Sequence, residues 1–404
     1  MAASPSRLTP YPSSLAWRLV LEKLPLFALS ITCSLITVYA QSEAKAVRSS
    51  EEYPLLTRLG NAAIAYMEYV GMTFWPVNLS VFYPYDKYPS VFWQVGAAIL
   101  LVCLTLLVLF QRSRRYLFVG WFWYLGTLVP VIGIIQVGRQ AMADRYTYIP
   151  SIGLFVALVW GLADVFARLR LPRWAQGGVA GAAVLACALL TRIQVEHWRD
   201  AWTLWENAVR ANPENFLAHQ RLAALYVDQG KDEEAIQSYR LAIQSNPNDP
   251  KSYAHLATIY TKRSQLAARN GDKATEAALL DEMIKVLRDA LGIKADEPYW
   301  HFNLGQGLLA TGKPDEGIEE LRTAIRLKPD VADWHLALGQ GLLATGKPDE
   351  GIEELRAAIR LKPDLGLGHW LLYNALKETQ PREAAQHKEQ AYKLVPELRG
   401  KVAE

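Results

Sequence analysis

Apolar positions follow two regimes along this chain. Up to about residue 193 they form long uncharged stretches; beyond it they recur every three or four positions between charged residues. A helix needs roughly 20 apolar residues to cross about 30 Å of hydrocarbon. Stretches at 91–110, 116–137, 148–167 and 175–193 reach that length, and 24–40 comes close. These predict a five-span membrane module over 24–193, behind a cytoplasmic segment at 1–23. The apolar run at 24–40 lacks a cleavage site after it and is expected to be retained. The stretch from 55 to 82 is apolar but broken by Arg58, Gly60, Asn61 and Glu68, then crowded with aromatics and prolines (FWPVNLSVFYPYDKYP). It fits an interfacial helix or a re-entrant element better than a lone span.

In the second regime the chain repeats itself. Residues 305–330 (GQGLLATGKPDEGIEELRTAIRLKPD) recur at 339–364, offset by 34, with Thr323 becoming Ala357. That period belongs to the tetratricopeptide (TPR) repeat, a two-helix hairpin. Small residues such as Gly305 and Ala324 let the two helices approach, large ones fill the space between hairpins, and Pro329 and Pro363 close each unit. Repeats are expected from 216, 250, 298, 332 and 366, with a half repeat at 197–215, giving a solenoid over 197–400. The repeat from 250 takes 48 residues where the next takes 34, and lengthened helices around 267–278 would absorb the excess. The predicted fold class is therefore all-α: a multi-span transmembrane helical module followed by a TPR α-solenoid.

Charge then sets direction. Residues 1–192 carry 16 Lys and Arg against 8 Asp and Glu; the remainder carries 27 against 32. Three arginines crowd 111–115 (QRSRR) and three more 168–173 (RLRLPR), and such loops stay cytoplasmic. Arg7, Arg18 and Lys23 place the N-terminus on the same side. The segments 41–90 and 138–147, and everything after 193, are then exoplasmic: the periplasm of a bacterial inner membrane, or the ER lumen of a eukaryote. No lysine-rich arm or aromatic-interleaved basic patch points to nucleic acid. Cys33, Cys103 and Cys187 sit in apolar runs as small hydrophobes, and no CxxC occurs. His301 and His335 are 34 apart because the repeat is, so no metal site is expected.

Two surfaces are candidates for binding. On the concave face of the solenoid, Tyr299, Phe302, Gln306 and Gln340 would meet a peptide or protein ligand; the alternative is a spacer that holds something off the bilayer. In the membrane half, 143–155 reads ADRYTYIPSIGLF. Arg139 and Arg145, with Asp144 and Tyr146, at the electropositive start of a helix would hold a lipid-linked phosphate. An ion-paired boundary loop explains the same residues. Asp164, the one acid inside a span, does not suffice for a transporter, and no inverted repeat is visible.

The string ADRYTYIPSIGLF, preceded by FWYLGTLVPVIGIIQVG, resembles the TMTC-type membrane O-mannosyltransferases and their bacterial TPR-bearing relatives, which are similar to GT-C glycosyltransferases. EKLPLFALSITCSLITVYAQ and FWPVNLSVFYPY resemble the segments before it. The resemblance implies a polyprenyl-phosphate sugar as donor, no other cofactor, and an exoplasmic TPR array that presents acceptor protein. It also implies a catalytic acid in a first exoplasmic loop. None of Glu43, Glu51, Glu52 and Asp86 matches that loop, so no catalytic residue is assigned. The expectation is a membrane-anchored interaction protein, inactive alone as an enzyme, or part of a split enzyme completed by a separate chain carrying further N-terminal spans.

Overall fold

A computed structural model describes residues 54–85, 90–111, 113–135, 138 and 140–398, with scattered helical positions between 21 and 43. The chain divides into two compact bodies, Met1–Pro213 and Glu214–Glu404.

In the first body, α1 (Leu55–Phe74), α2 (Val91–Phe110), α3 (Arg115–Leu128), α4 (Pro150–Arg168), α5 (Arg173–Glu196) and α6 (Ala201–Ala211) follow one another. Two short antiparallel strands, β1 (Tyr83–Pro84) and β2 (Gln140–Met142), pair Tyr83 with Met142. The interior mixes tyrosine with aliphatic side chains: Tyr69, Tyr124, Leu128 and Ile132 are fully buried. Tyr66 OH donates 2.9 Å to the Leu125 carbonyl and Tyr124 OH donates to the Tyr66 carbonyl, which stitches α1 to α3. Where α3 crosses α4, Gly120 and Gly153 face each other so closely that a Cβ on either would strike the other's carbonyl. At one end of that crossing Tyr116 OH donates 2.7 Å to Oδ2 of Asp164, with Arg114 Nε at 3.6 Å. The end of α3 next to 111–114 therefore adjoins the end of α4 next to 169–172.

The expected helix over 116–137 stops at Leu128, and 129–135 is turns and bends. Pro130 has no N–H to continue the ladder, and Gly133 takes a φ of 94°. The sequence at 55–74 makes one 20-residue helix whose Asn61, Ala62, Ala65, Tyr66 and Tyr69 are buried. Helices α2, α4 and α5 are long and apolar enough to cross a membrane. Neither α2 nor α5 contributes a buried residue to this body.

The helix expected as a half repeat, α6, belongs to the first body, where Asn207 Nδ2 donates 2.9 Å to the Leu79 carbonyl. Asp200 caps it, accepting 2.8 Å from Thr203 N.

The second body is five helical hairpins: α7 (Phe216–Asp228) with α8 (Asp232–Ser245), α9 (Pro250–Arg269) with α10 (Lys273–Ile293), α11 (Pro298–Ala310) with α12 (Pro314–Leu327), α13 (Ala332–Ala344) with α14 (Pro348–Leu361), and α15 (Gly366–Leu376) with α16 (Pro381–Leu394). Proline opens α9, α11, α12, α14 and α16, where its missing N–H has no helical partner to lose. The turn after α11 is closed by Gly312 at φ 77°, with Lys313 N donating 2.8 Å to the Leu308 carbonyl; Gly346 repeats this after α13. Helices α9 and α10 have 20 and 21 residues against 13 and 14 in α11 and α12, so the insertion lengthens both.

Within a hairpin the helices meet through small residues. A Cβ on Gly305 would lie 2.8 Å from Leu321 Cγ and 2.9 Å from the Gly317 carbonyl, and Gly339 faces Leu355 and Gly351 the same way. Leu321, Ala324, Leu355 and Ala358 are completely buried at these seams. Two polar devices recur. Arg288, Arg322 and Arg356 pair with Glu316, Glu350 and Glu383, each at the start of the next second helix. His301 Nδ1 lies 2.5 Å from Glu320 and its Nε2 2.9 Å from the Ala295 carbonyl; His335 meets Glu354 at 2.6 Å and the Pro329 carbonyl at 3.0 Å.

Candidate functional site

The 143–148 turn of the first body is held from two distant elements. Tyr69 OH, from the buried face of α1, accepts 2.9 Å from Ala143 N and donates 3.2 Å to the Ala143 carbonyl. Tyr83 OH, on β1, accepts 2.9 Å from Ser80 N and donates 2.8 Å to Oδ1 of Asp144. A single 3-10 turn over Asp144–Thr147 follows, in which Thr147 Oγ1 donates 2.7 Å to the Asp144 carbonyl, and Pro150 then starts α4.

The predicted residues part company here. Asp144 is half-buried; burial pushes its carboxyl pKa up, against the Tyr83 hydrogen bond and the Arg145 charge, which pull it down. Among the described residues no ion pair reaches Asp144, so the boundary-loop ion pair is not formed with Arg145. The same carboxylate holds the Tyr83 phenol well above its usual range, after burial as the larger cause. Arg145 is exposed, its guanidinium 5.2 Å from the Tyr146 ring centre and 3.5 Å from Gln140 Oε1. Gln140 Nε2 donates 2.8 Å to Tyr146 OH, so Gln140 orients both. Arg139 lies outside the described residues, as do Glu51, Glu52 and Asp86.

Beside the turn runs a groove of about 480 Å³, walled by Asp144, Thr147 and Tyr148 on one side and by Thr191, Gln194 and Trp198 on the other. Its polar wall offers the Asp144 carboxylate, the hydroxyls of Thr73, Thr147, Tyr148 and Thr191, and the Gln194 amide. Arg145 is not part of that wall. The groove therefore suits a hydroxyl or cationic group, and an anion would have to sit on the exposed side, at Arg145. A larger cleft of about 900 Å³ between α1 and α2 carries Glu68 beside Trp93 and Ala97. No local sequence pattern marks Tyr69 or Gln140, and the aromatic density around 82–85 is the signal that points to Tyr83.

In the second body the four candidate residues do not form one surface of equal character. Tyr299 is 53% exposed, bonded at its hydroxyl by Lys328 Nζ at 2.9 Å and set edge-on to Trp334. Phe302 stacks on Trp334 with ring centres 5.4 Å apart, so it acts as packing between α11 and α13. Gln306 and Gln340, at equivalent positions of those helices, are exposed. Among the described residues no group of three or more His, Cys, Asp or Glu could hold a metal ion.

Residues 302–365 match the family described as tetratricopeptide repeat, and 224–263 match a second TPR repeat family. The human protein O-mannosyl-transferase TMTC1 is 26% identical over 167 residues, 39% of this chain and 18% of that protein. Its Mus musculus counterpart is 31% identical over 121 residues, 29% of this chain and 13% of that protein. The photosystem I assembly protein Ycf3 of Synechococcus sp. (strain CC9605) is 25% identical over 119 residues, 30% of this chain and 65% of its own length. This chain thus spans less than a fifth of the length of the two O-mannosyl-transferases. Among solved structures, MamA covers 45% of this chain and 92% of its own at 18% identity and a TM-score of 0.40. YrrB, a TPR protein with an unusual peptide-binding site, covers 48% and 92% at 16% identity and a TM-score of 0.41. The chain carries tetratricopeptide repeats, which mediate protein–protein interaction.

Proposed function

We propose that this protein is anchored in a membrane by the helices of its first body and holds a peptide or protein partner on the exoplasmic side with its TPR hairpins. The observation that carries the anchoring is the uncovered apolar surface. The apolar windows of α2 and α5 have none of their residues buried, and that of α4 only 17%. Apolar surface left in water costs about 25 cal/mol per Å², and patches of this extent mark a surface meant to be covered. Lipid covers it here.

Orientation rests on the arginine loops. The Tyr116–Asp164 hydrogen bond supports one side of the membrane for both 111–114 and 168–173, and the positive-inside rule makes that side cytoplasmic. A membrane-crossing α5 then delivers the hairpins outside. Exposed Tyr299, Gln306 and Gln340 on the first helices are the contact residues for the partner. A photo-crosslinker at Gln340 should capture one discrete protein, and one at exposed Glu319 of α12 should not. Equal labelling from both positions would overturn the assignment of the face.

A second reading, that the chain is a functional part of a polyprenyl-phosphate-sugar-dependent protein O-mannosyltransferase, is favoured by the likeness to the TMTC1 proteins and by exposed Arg145 beside Tyr146. In that case Arg145→Ala weakens binding of an anionic polyprenyl phosphate in detergent. Unchanged binding removes this reading and leaves the first intact. Transfer of a labelled lipid-linked sugar by the chain expressed alone would contradict our expectation that it is inactive by itself.

A further inference from the structure

The last hairpin breaks the histidine rule of the two before it. In each of them a first-helix histidine faces a second-helix glutamate placed six residues after the opening proline: His301 with Glu320, His335 with Glu354. The equivalent position after Pro381 is His387. His369 Nδ1 lies 2.9 Å from His387 Nδ1, and His369 Nε2 lies 3.1 Å from the Pro363 carbonyl.

Proton counting separates the three sites. A carbonyl only accepts, so Nε2 of His301, His335 and His369 must each carry a proton. At the first two sites Nδ1 also faces an acceptor, a carboxylate, so a proton on Nδ1 meets no opposing N–H there. At the third site Nδ1 of His369 faces another Nδ1. One proton between the two nitrogens makes the 2.9 Å hydrogen bond; two would set N–H against N–H. The pair can take one further proton, on His387 Nε2, which lies 3.8 Å from Glu383 Oε1. A third cannot enter without parting the rings.

The surroundings do not soften this limit. Glu383 is already held by Arg356 of α14 at 2.9 and 3.1 Å. Lys388, the next residue, turns onto the rings of Tyr373 and Tyr392. His369 is 7% exposed. Burial and the facing His369 hold the His387 pKa below its ordinary value, with Glu383 opposing. The turn between α15 and α16 also lacks the left-handed glycine that closes the turns after α7, α9, α11 and α13.

We infer that His369 and His387 form a proton-dependent latch: acidification parts the α15–α16 hairpin while the His–Glu clamps of the two preceding hairpins stay closed. Parting uncovers Leu372 and Leu376 of α15 on the side where Ala384 of α16 packs against them. The array thus loses its terminal cap and presents an apolar edge when the pH falls.

Amide hydrogen exchange on the full chain in detergent tests this, read by peptide at about pH 7.5 and about pH 5 and corrected for intrinsic rates. In the wild type, α15 and α16 should lose protection by about tenfold or more at the lower pH, while α11–α14 lose none. His387→Glu restores the rule of the other two sites and should abolish the acid effect. His387→Gln, uncharged at both pH values, should abolish it too. Equal protection of α15–α16 at both pH values in the wild type would overturn the latch. So would the same acid loss in His387→Glu and His387→Gln as in the wild type.

Discussion

Tyr83 OH donates a 2.8 Å hydrogen bond to Oδ1 of Asp144, joining residues 61 positions apart. With the two hydrogen bonds between Tyr69 OH and the Ala143 backbone, it fixes the turn that opens α4 and the acid on the groove wall. Tyr83→Phe should destabilise the first body by about 1.5–3 kcal/mol, the range for a hydrogen bond to a charged group. Asp144 should then titrate higher still. A double-mutant cycle with Asp144→Asn, read by thermal unfolding in detergent, measures the coupling. Additive effects would mean that the contact is not made in solution.

Gly305→Ala places a methyl 2.8 Å from Leu321 Cγ and 2.9 Å from the Gly317 carbonyl. Backbone cannot yield as a flexible side-chain tip does, so the cost should be about 1–3 kcal/mol. Gly339→Ala should behave alike, because Gly351 and Leu355 repeat the geometry. Local exchange protection of α11–α14 is the measurement.

Arg322→Ala removes the pairs with Glu319 and Glu350, yet should change stability by less than about 1 kcal/mol, since exposed pairs contribute little. A larger loss, seen in denaturant unfolding, would mean that the arginine ladder acts as a network.

His335 has its pKa raised, first by the hydrogen bond to Glu354. A raised folded-state pKa contributes stability that is fully present below the unfolded value of about 6.5 and is lost as pH rises through the folded value. Protection of α13 and α14 should therefore decline toward mildly alkaline pH. His335→Gln should lower protection at pH 6 and flatten the decline. A flat wild-type profile would contradict the assignment of a doubly protonated His335.

The hairpins were legible because the chain states them twice: a near-identical segment at an offset of 34 fixes period, turn and seam together. The lengthened second hairpin was legible as excess length, and both helices take it up. The groove was not. Its acid is positioned by Tyr83 and its turn by Tyr69, through pairings across 61 and 74 residues that no local pattern announces. From sequence Phe302 reads as a ligand contact, because an aromatic on a first helix looks the same whether it meets a partner or Trp334 of the next hairpin. The shortened helix after Arg115 turns on Pro130, whose effect was hidden by the apolar residues on both sides of it.

Everything proposed for the partner depends on the hairpins lying outside the cytoplasm. Alkaline phosphatase and green fluorescent protein, fused separately after Glu404 in a bacterial host, report this directly. Exoplasmic hairpins give an active phosphatase and a dark fluorescent protein. A fluorescent fusion with inactive phosphatase would place the hairpins in the cytoplasm and contradict the proposal.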